Sequence, residues 1–225
     1  MTVLTSQKSP AIFSDYLKNK LLLPDNPDTD SRISFHTDIS LFSFGDTVIC
    51  APFLYGFLSE SLPHTAVIAG ERPFSPYPHD VLYNAALVGK TLFCNVKYTS
   101  SAVISEAEKR GIKTVNVKQG YAKCCTVPVT GNALITCDAS IKIAAEKEGM
   151  DVLSVSNTGV LLDGFDSGFI GGASLCLDHK IVFTGDIFNS PDAQRIIDFI
   201  GLHGKTVSYF RNYPLMDIGS PAVVS

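Results

Sequence analysis

Apolar positions along this chain recur in one grammar: two short β-rich runs around a polar or glycine-containing pair, then a stretch with helical spacing, then another apolar run. The grammar is written four times. The first copy reads ISLFSFGDTVICAP, FLYGFLSESL and TAVIAG, and the second YNAALVGKTLFCN, SSAVISEAEKRG and IKTVNVKQG. The third is KCCTVPVTGNALITCD, ASIKIAAEKEG and MDVLSVS; the fourth is GGASLCLDHKIVFTGD, SPDAQRIIDFIGLHGK and TVSYF. Gly45-Asp46, Gly89-Lys90, Gly131-Asn132 and Asp178-His179 stand between the paired runs, where tight hairpins need such residues. Gly111 and Gly149 stop the second and third helices. The fourth helix is predicted to start with Ser190 as N-cap, Pro191 in the first helical position and Asp192 in the first turn.

The copies begin about 40 to 45 residues apart, which marks a repeat architecture with units near 36–70, 83–119, 122–157 and 168–212. A linear stack would expose sheet edges, whereas a ring of short sheets with helices outside leaves none. The expected fold is therefore α/β, a single domain over 1–225 in which repeated hairpin-helix-strand units close around a central channel. The length accommodates five such units, so the fifth is expected from Ser31 to Phe35 together with the segment after Tyr213. Pro24 to Asp30 and Glu71 to His79 read as surface loops.

Composition narrows the function classes. With 45% hydrophobic and 18% charged residues the chain can bury a core and lacks the signature of disorder. A net charge of −4 argues against a phosphate-tracking surface, so no nucleic-acid partner is expected. No uncharged run is long enough to span a membrane, and MTVLTSQKSPAIF lacks the features of a leader, so a cytoplasmic protein without a membrane partner is expected. The six cysteines, Cys50, Cys94, Cys124, Cys125, Cys137 and Cys176, form no CxxC pair and no zinc-ribbon spacing. They read as reduced thiols, and neither metal nor cofactor is expected. Cys50, Cys94 and Cys137 fall at nearly one place in their second strands, as a repeated packing niche selects.

Five such units around a channel describe the pentein fold of guanidine-modifying enzymes, and Phe35 to Pro52 resembles that superfamily in detail. His36-Thr37-Asp38 stands where the agmatine and arginine deiminases carry a His-x-Asp motif opening a strand. GYAKCCTVPV and GFIGGASLCLDHKIVFTGD are similar to uncharacterised clostridial-type proteins assigned the same fold. The resemblance implies a thiolate that attacks a guanidinium carbon, a histidine that moves protons, and carboxylates that hold the cation. It places the nucleophile two units after the His-x-Asp, at Lys123-Cys124-Cys125-Thr126, and implies a circularly permuted unit order.

Cys124 lies eight residues before Asn132 and Asp38 eight before Asp46, so both should occupy one rung, with Cys125 facing the outer core. Cys124 is the candidate nucleophile, His36 the acid and base, Asp38 the carboxylate. The superfamily's Glu-Gly-Gly-Asp strand is represented only by Ile170-Gly171-Gly172-Ala173, without its acids. Asp138 and Asp186 either replace those acids or cap the helices that follow. Lys123 would lower the thiol's pKa and also repel a cation. Gly171 and Gly172 would let backbone approach a ligand, and Ser174 and Asn84 would add neutral hydrogen bonds. The expected function is a hydrolase or amidinotransferase acting on a small amidine or guanidino compound. The alternative is a non-catalytic binding protein, similar in architecture to a ribosome anti-association factor, with Phe53, Tyr55, Phe57, Phe74 and Tyr77 contributing a contact face. Oligomeric state stays open.

Overall fold

The computed structural model describes residues 1–225. The N-terminal segment folds as β1 (Thr2–Ser6), α1 (Ala11–Tyr16) and β2 (Lys20–Leu23). A short helix α2 (Thr37–Ser40) leads into β3 (Leu41–Ser43), β4 (Thr47–Cys50), α3 (Pro52–Ser61) and β5 (Ala66–Ala69). The next two units are β6 (Ala86–Val88), β7 (Thr91–Cys94), α4 (Ser101–Lys109), β8 (Lys113–Asn116), then β9 (Thr126–Thr130), β10 (Ala133–Thr136), α5 (Ala139–Lys147), β11 (Asp151–Ser154). The last are β12 (Ser174–Cys176), β13 (Lys180–Phe183), α6 (Ala193–Leu202), β14 (Thr206–Ser208) and β15 (Ala222–Val224).

These strands form five three-stranded sheets of one topology: an antiparallel pair, then a parallel third strand reached across a helix. All four predicted turn pairs join antiparallel neighbours. The central strands TVIC, TLFC and ALIT are buried along their whole length, so they read as continuous apolar runs rather than alternating ones. The helices cover them with residues three or four apart: Val103 and Ala107 in α4, Ile141 and Ala145 in α5, and Ala193, Ile196 and Ile200 in α6. Cys50 and Cys94 end their central strands fully buried, and desolvation pushes the Cys50 thiol up to about 12.

Five buried clusters join the sheets in succession. Leu4, Leu41, Val48 and Val224 pack β15-β1-β2 on β3-β4-β5. Phe42, Ile49 and Leu92 join the latter to β6-β7-β8. Phe93, Cys125 and Leu134 continue to β9-β10-β11, and Val127, Ile135, Ile181 and Phe183 to β12-β13-β14. Leu175 and Val182 then meet Val3 and Phe13, returning to the sheet of the two termini.

Three details differ from the sequence expectation. The fifth sheet takes its N-terminal strands from Thr2–Ser6 and Lys20–Leu23, while Ser31–Phe35 turns without pairing. That stretch is held by turn bonds, Ile33 N–H to Asp30 and His36 N–H to Ile33, so it has no ladder to offer. Asp192 rather than Ser190 is the N-cap of α6; a 3-10 turn at Ile187–Asn189 precedes it, and Ser190 Oγ accepts from Asp192 N–H instead. His36-Thr37-Asp38 enters on the helical turn α2 rather than opening a strand, because Ile39 N–H closes back on His36. No helix is long and apolar enough to cross a membrane.

Candidate functional site

Each sheet is preceded by a lead-in segment, and the five segments converge. Asp38 N–H donates to Gly219 carbonyl at 3.2 Å, Ile218 N–H to Gly172 carbonyl at 3.1 Å, and Gly172 N–H to Cys124 carbonyl at 3.0 Å. Lys123 and Cys124 N–H both donate to Asn84 Oδ1, at 2.8 and 3.1 Å. These bonds tie the residues ahead of β3, β15, β12, β9 and β6 into one belt, and the candidate chemistry sits on it.

Cys124 Sγ donates to Asp38 Oδ2 at 2.9 Å and accepts from Asn84 Nδ2 at 3.2 Å. The shared spacing of Asp38 and Cys124 from their turns thus becomes a direct contact. Both residues lie on turns just before their strands rather than on strand rungs, since Cys125 N–H bonds to Tyr121 and Thr126 N–H to Lys123. Cys125 packs into the outer core as expected.

A third carboxylate completes the arrangement. Asp217 Oδ1 lies 3.9 Å from His36 Nε2, and the reactive atoms of His36, Cys124 and Asp217 all lie within 4.8 Å of one another. Asp217 Oδ2 accepts from Phe169 N–H and Oδ1 from Gly219 N–H, both at 2.9 Å. Sequence reasoning missed this residue. A signal was present, because Asp217 stands five residues before β15 as His36 stands five before β3. Two glycines admit it: a Cβ on Gly172 would overlap the Asp217 carboxylate, and Gly219, at φ +73°, would drive a Cβ into His36.

The electrostatics are those of a resting thiol. Burial, then the charges of Asp38 and Asp217, push the Cys124 thiol well above its ordinary value. Burial likewise raises the Asp38 carboxyl, with His36 opposing it. His36 Nε2 and Asp38 Oδ1 are buried without a hydrogen-bond partner, a costly state for polar atoms. A soft divalent ion could take the same His, Cys and Asp donors, whose chemistry suits zinc.

Because the folded state holds the Asp38 proton more tightly than the unfolded chain, the stabilisation it brings is complete below the ordinary value of 3.8 and is lost as pH rises through the higher folded value. Asp38→Asn should therefore raise the thermal midpoint at pH 7 by roughly 2–4 °C, with the gain shrinking towards pH 4. Calorimetry across that range checks this; an unchanged midpoint at pH 7 would contradict it.

Two cavities flank the belt. One, of about 140 Å³, is lined by His36, Cys124 and Asp217 and walled by Ile33, Tyr121, Leu162, Phe165, Ser167 and Phe169. The other, of about 240 Å³, is lined by Asp38, Lys123 and residues from the first strand of every sheet, including Leu41, Leu87, Pro128, Cys176 and Val223. Lys123 thus lines the cavity away from the thiol, and its charge reaches the site only through space, opposing the rise of the Asp38 carboxyl.

Asn84 reaches Cys124. Gly171 carbonyl accepts from Ser174 Oγ and Ser220 Oγ, both at 3.0 Å, so Ser174 braces the belt and lines neither cavity. Gly171 and Gly172 occupy a turn before β12 and contribute backbone only. Asp138 is the N-cap of α5, accepting from Ser140 and Ile141 N–H, and Asp186 caps the 3-10 turn through Phe188 N–H. Neither carboxylate is brought to Cys124, because each is held by the backbone N–H groups that follow it. Of the aromatics expected to contribute a contact face, Phe53 packs between two cores, while Tyr55, Phe57, Phe74 and Tyr77 are exposed, with Phe74 stacked on His79 at 4.6 Å and Tyr77 5.6 Å from Tyr121.

The sequence profile of a family of unknown function (DUF6873) matches residues 5–221. No curated protein matches the chain significantly. Among solved structures the chain is similar to a dimethylarginine dimethylaminohydrolase adduct with 4-chloro-2-hydroxymethylpyridine, at 11% identity and TM-score 0.59, covering 93% of this chain and 91% of that one. It is similar, at 11% identity and TM-score 0.58, to a cysteine-to-serine mutant of the Pseudomonas aeruginosa enzyme complexed with citrulline, over 92% of this chain and 89% of that one. Agmatine deiminase from C. jejuni matches at 10% identity and TM-score 0.52, over 95% and 79%. At such identities the likeness carries the fold, and the fold is the pentein one that the sequence resembles.

Proposed function

We propose, for a chain that belongs to the family of unknown function DUF6873, a thiol-dependent hydrolase of small amidinium or guanidinium compounds, its five units closed as a propeller around the site. One observation carries this reading: the Cys124 thiol is bonded to one buried carboxylate and lies within 4.8 Å of His36 and a second. The cyclic succession of clusters and the hydrogen-bonded belt support closure, and the likeness to structures named for a guanidine hydrolase and a deiminase supports the substrate class.

Two buried acids without a cation make an unfavourable resting state, and a planar cation in the cavity of His36, Cys124 and Asp217 offers hydrogen bonds to Asp217, with Asp38 acting from behind the thiol. Binding there adds the positive charge that the thiol lacks and lowers its pKa. The thiol proton passes to the free Nε2 of His36, and the thiolate adds to the central carbon. The C–N bond breaks as His36 returns a proton to the departing amine, leaving a thiouronium on Cys124. Water then adds, giving a proton to His36; the C–S bond breaks, a urea leaves, and Cys124 recovers its proton. An amine in place of that water would make the reaction an amidino transfer. The test is release of amine or ammonia together with a urea from a simple guanidine, lost in Cys124→Ser.

A further inference from the structure

Resting on that reading, we infer that the substrate is a guanidine whose nitrogen bears a small, uncharged, apolar group, and that a carboxylate on this group is rejected. The thiol, His36 and Asp217 all open into the 140 Å³ cavity and not into the other. A guanidinium whose carbon meets Cys124 therefore places its substituent there. The remaining wall is Ile33, Tyr121, Leu162, Phe165, Ser167 and Phe169, which contains no lysine or arginine.

The polar groups nearest that wall are already engaged. Tyr121 Oη donates to Asp80 at 2.8 Å, and its ring stands 6.1 Å from Phe169. Arg32 pairs with Asp30, donates to Gly164 carbonyl at 3.1 Å, and lies 4.4 Å over the Phe165 ring. A substrate carboxylate would thus enter an aromatic slot beside two acids and without a cation, losing its hydration with no return. An alkyl or aryl group loses only unfavourable contact with water and gains contact with ring faces. Asp163 and Asp166, exposed on the segment carrying Leu162 and Phe165, add negative charge at the rim and favour a cation over an anion. Lys123, the cation that could serve a carboxylate, lines the opposite cavity beyond Asp38.

Propylguanidine and 3-guanidinopropanoate differ only by a methyl exchanged for a carboxylate, and so isolate this feature. Dissociation constants are measured by calorimetry with Cys124→Ser, and kcat/KM with the unmodified protein. Propylguanidine is expected to bind at least 100-fold more tightly and, on turnover, to be favoured by a similar ratio. Equal or tighter binding of 3-guanidinopropanoate overturns the inference and moves the tail to Lys123. Tighter binding of propylguanidine without turnover of either compound upholds the apolar slot while removing the catalytic reading. Binding of neither overturns both.

Discussion

Cys124→Ser is expected to lower turnover of a guanidine substrate by on the order of 10⁴-fold or more while leaving its dissociation constant within a few-fold. The two halves of this expectation come from different properties of the sulfur. As a hydrogen-bonding group Cys124 donates to Asp38 and accepts from Asn84, and a hydroxyl can do both, so the belt and the cation's partners survive the exchange. As a nucleophile it must lose its proton when a cation arrives, and a hydroxyl's pKa lies too far above that of a thiol to follow. Unfolding midpoints of the two proteins should agree closely. Turnover retained within tenfold would assign the chemistry to another group.

Asp217→Asn is expected to reduce kcat/KM by roughly 10²- to 10³-fold, since removing one charge from a desolvated pair facing a cation costs about 2–5 kcal/mol. The side chain is buried, its two oxygens are fixed by Phe169 and Gly219 N–H, and it faces the unpartnered nitrogen of His36. Asparagine keeps one acceptor and loses the charge. Asp138→Asn supplies the contrast. That carboxylate caps α5, so its replacement should lower stability modestly and change kcat/KM by less than about twofold. Equal effects of the two substitutions would show Asp217 to be structural only.

The four internal units were legible because their signals are local. A turn pair such as Gly131-Asn132 fixes a hairpin wherever the rest of the chain lies, and the match of Asp38 with Cys124 follows from counting back from two such turns. The fifth unit offered no such signal. Its antiparallel pair, β15 with β1, is joined by no turn, because the two strands are opposite ends of the chain. Its helix has six residues, too few for a periodicity to show. Asp217 was lost with that unit, since its meaning comes from its distance to β15, a strand that pairs only when the termini meet. The resemblance asks for acids beside Gly171 and Gly172 and, where none stand, points to Asp138 and Asp186; the role of the two glycines is to make room, Gly172 for Asp217 and Gly171 for the carbonyls of Lys123, Cys124 and Thr126. Lys123 adjoins Cys124 in sequence, but its side chain lines the other cavity.

In the proposed mechanism Cys124 rests as a buried thiol, its pKa raised by burial and two carboxylates, and is awakened by a planar cation. Two electrophiles of nearly equal size, 2-chloroacetamidine and 2-chloroacetamide, each lose chloride to a thiolate as an S–C bond forms, and they differ in carrying or lacking a positive amidinium. Mass spectrometry of the Cys124 peptide over time at pH 7.5 compares them. The amidine is expected to label Cys124 at least 100-fold faster than the amide, beyond the ratio seen with free cysteine, and Asp217→Asn should abolish that advantage. Equal labelling of Cys124 by both reagents would contradict the account.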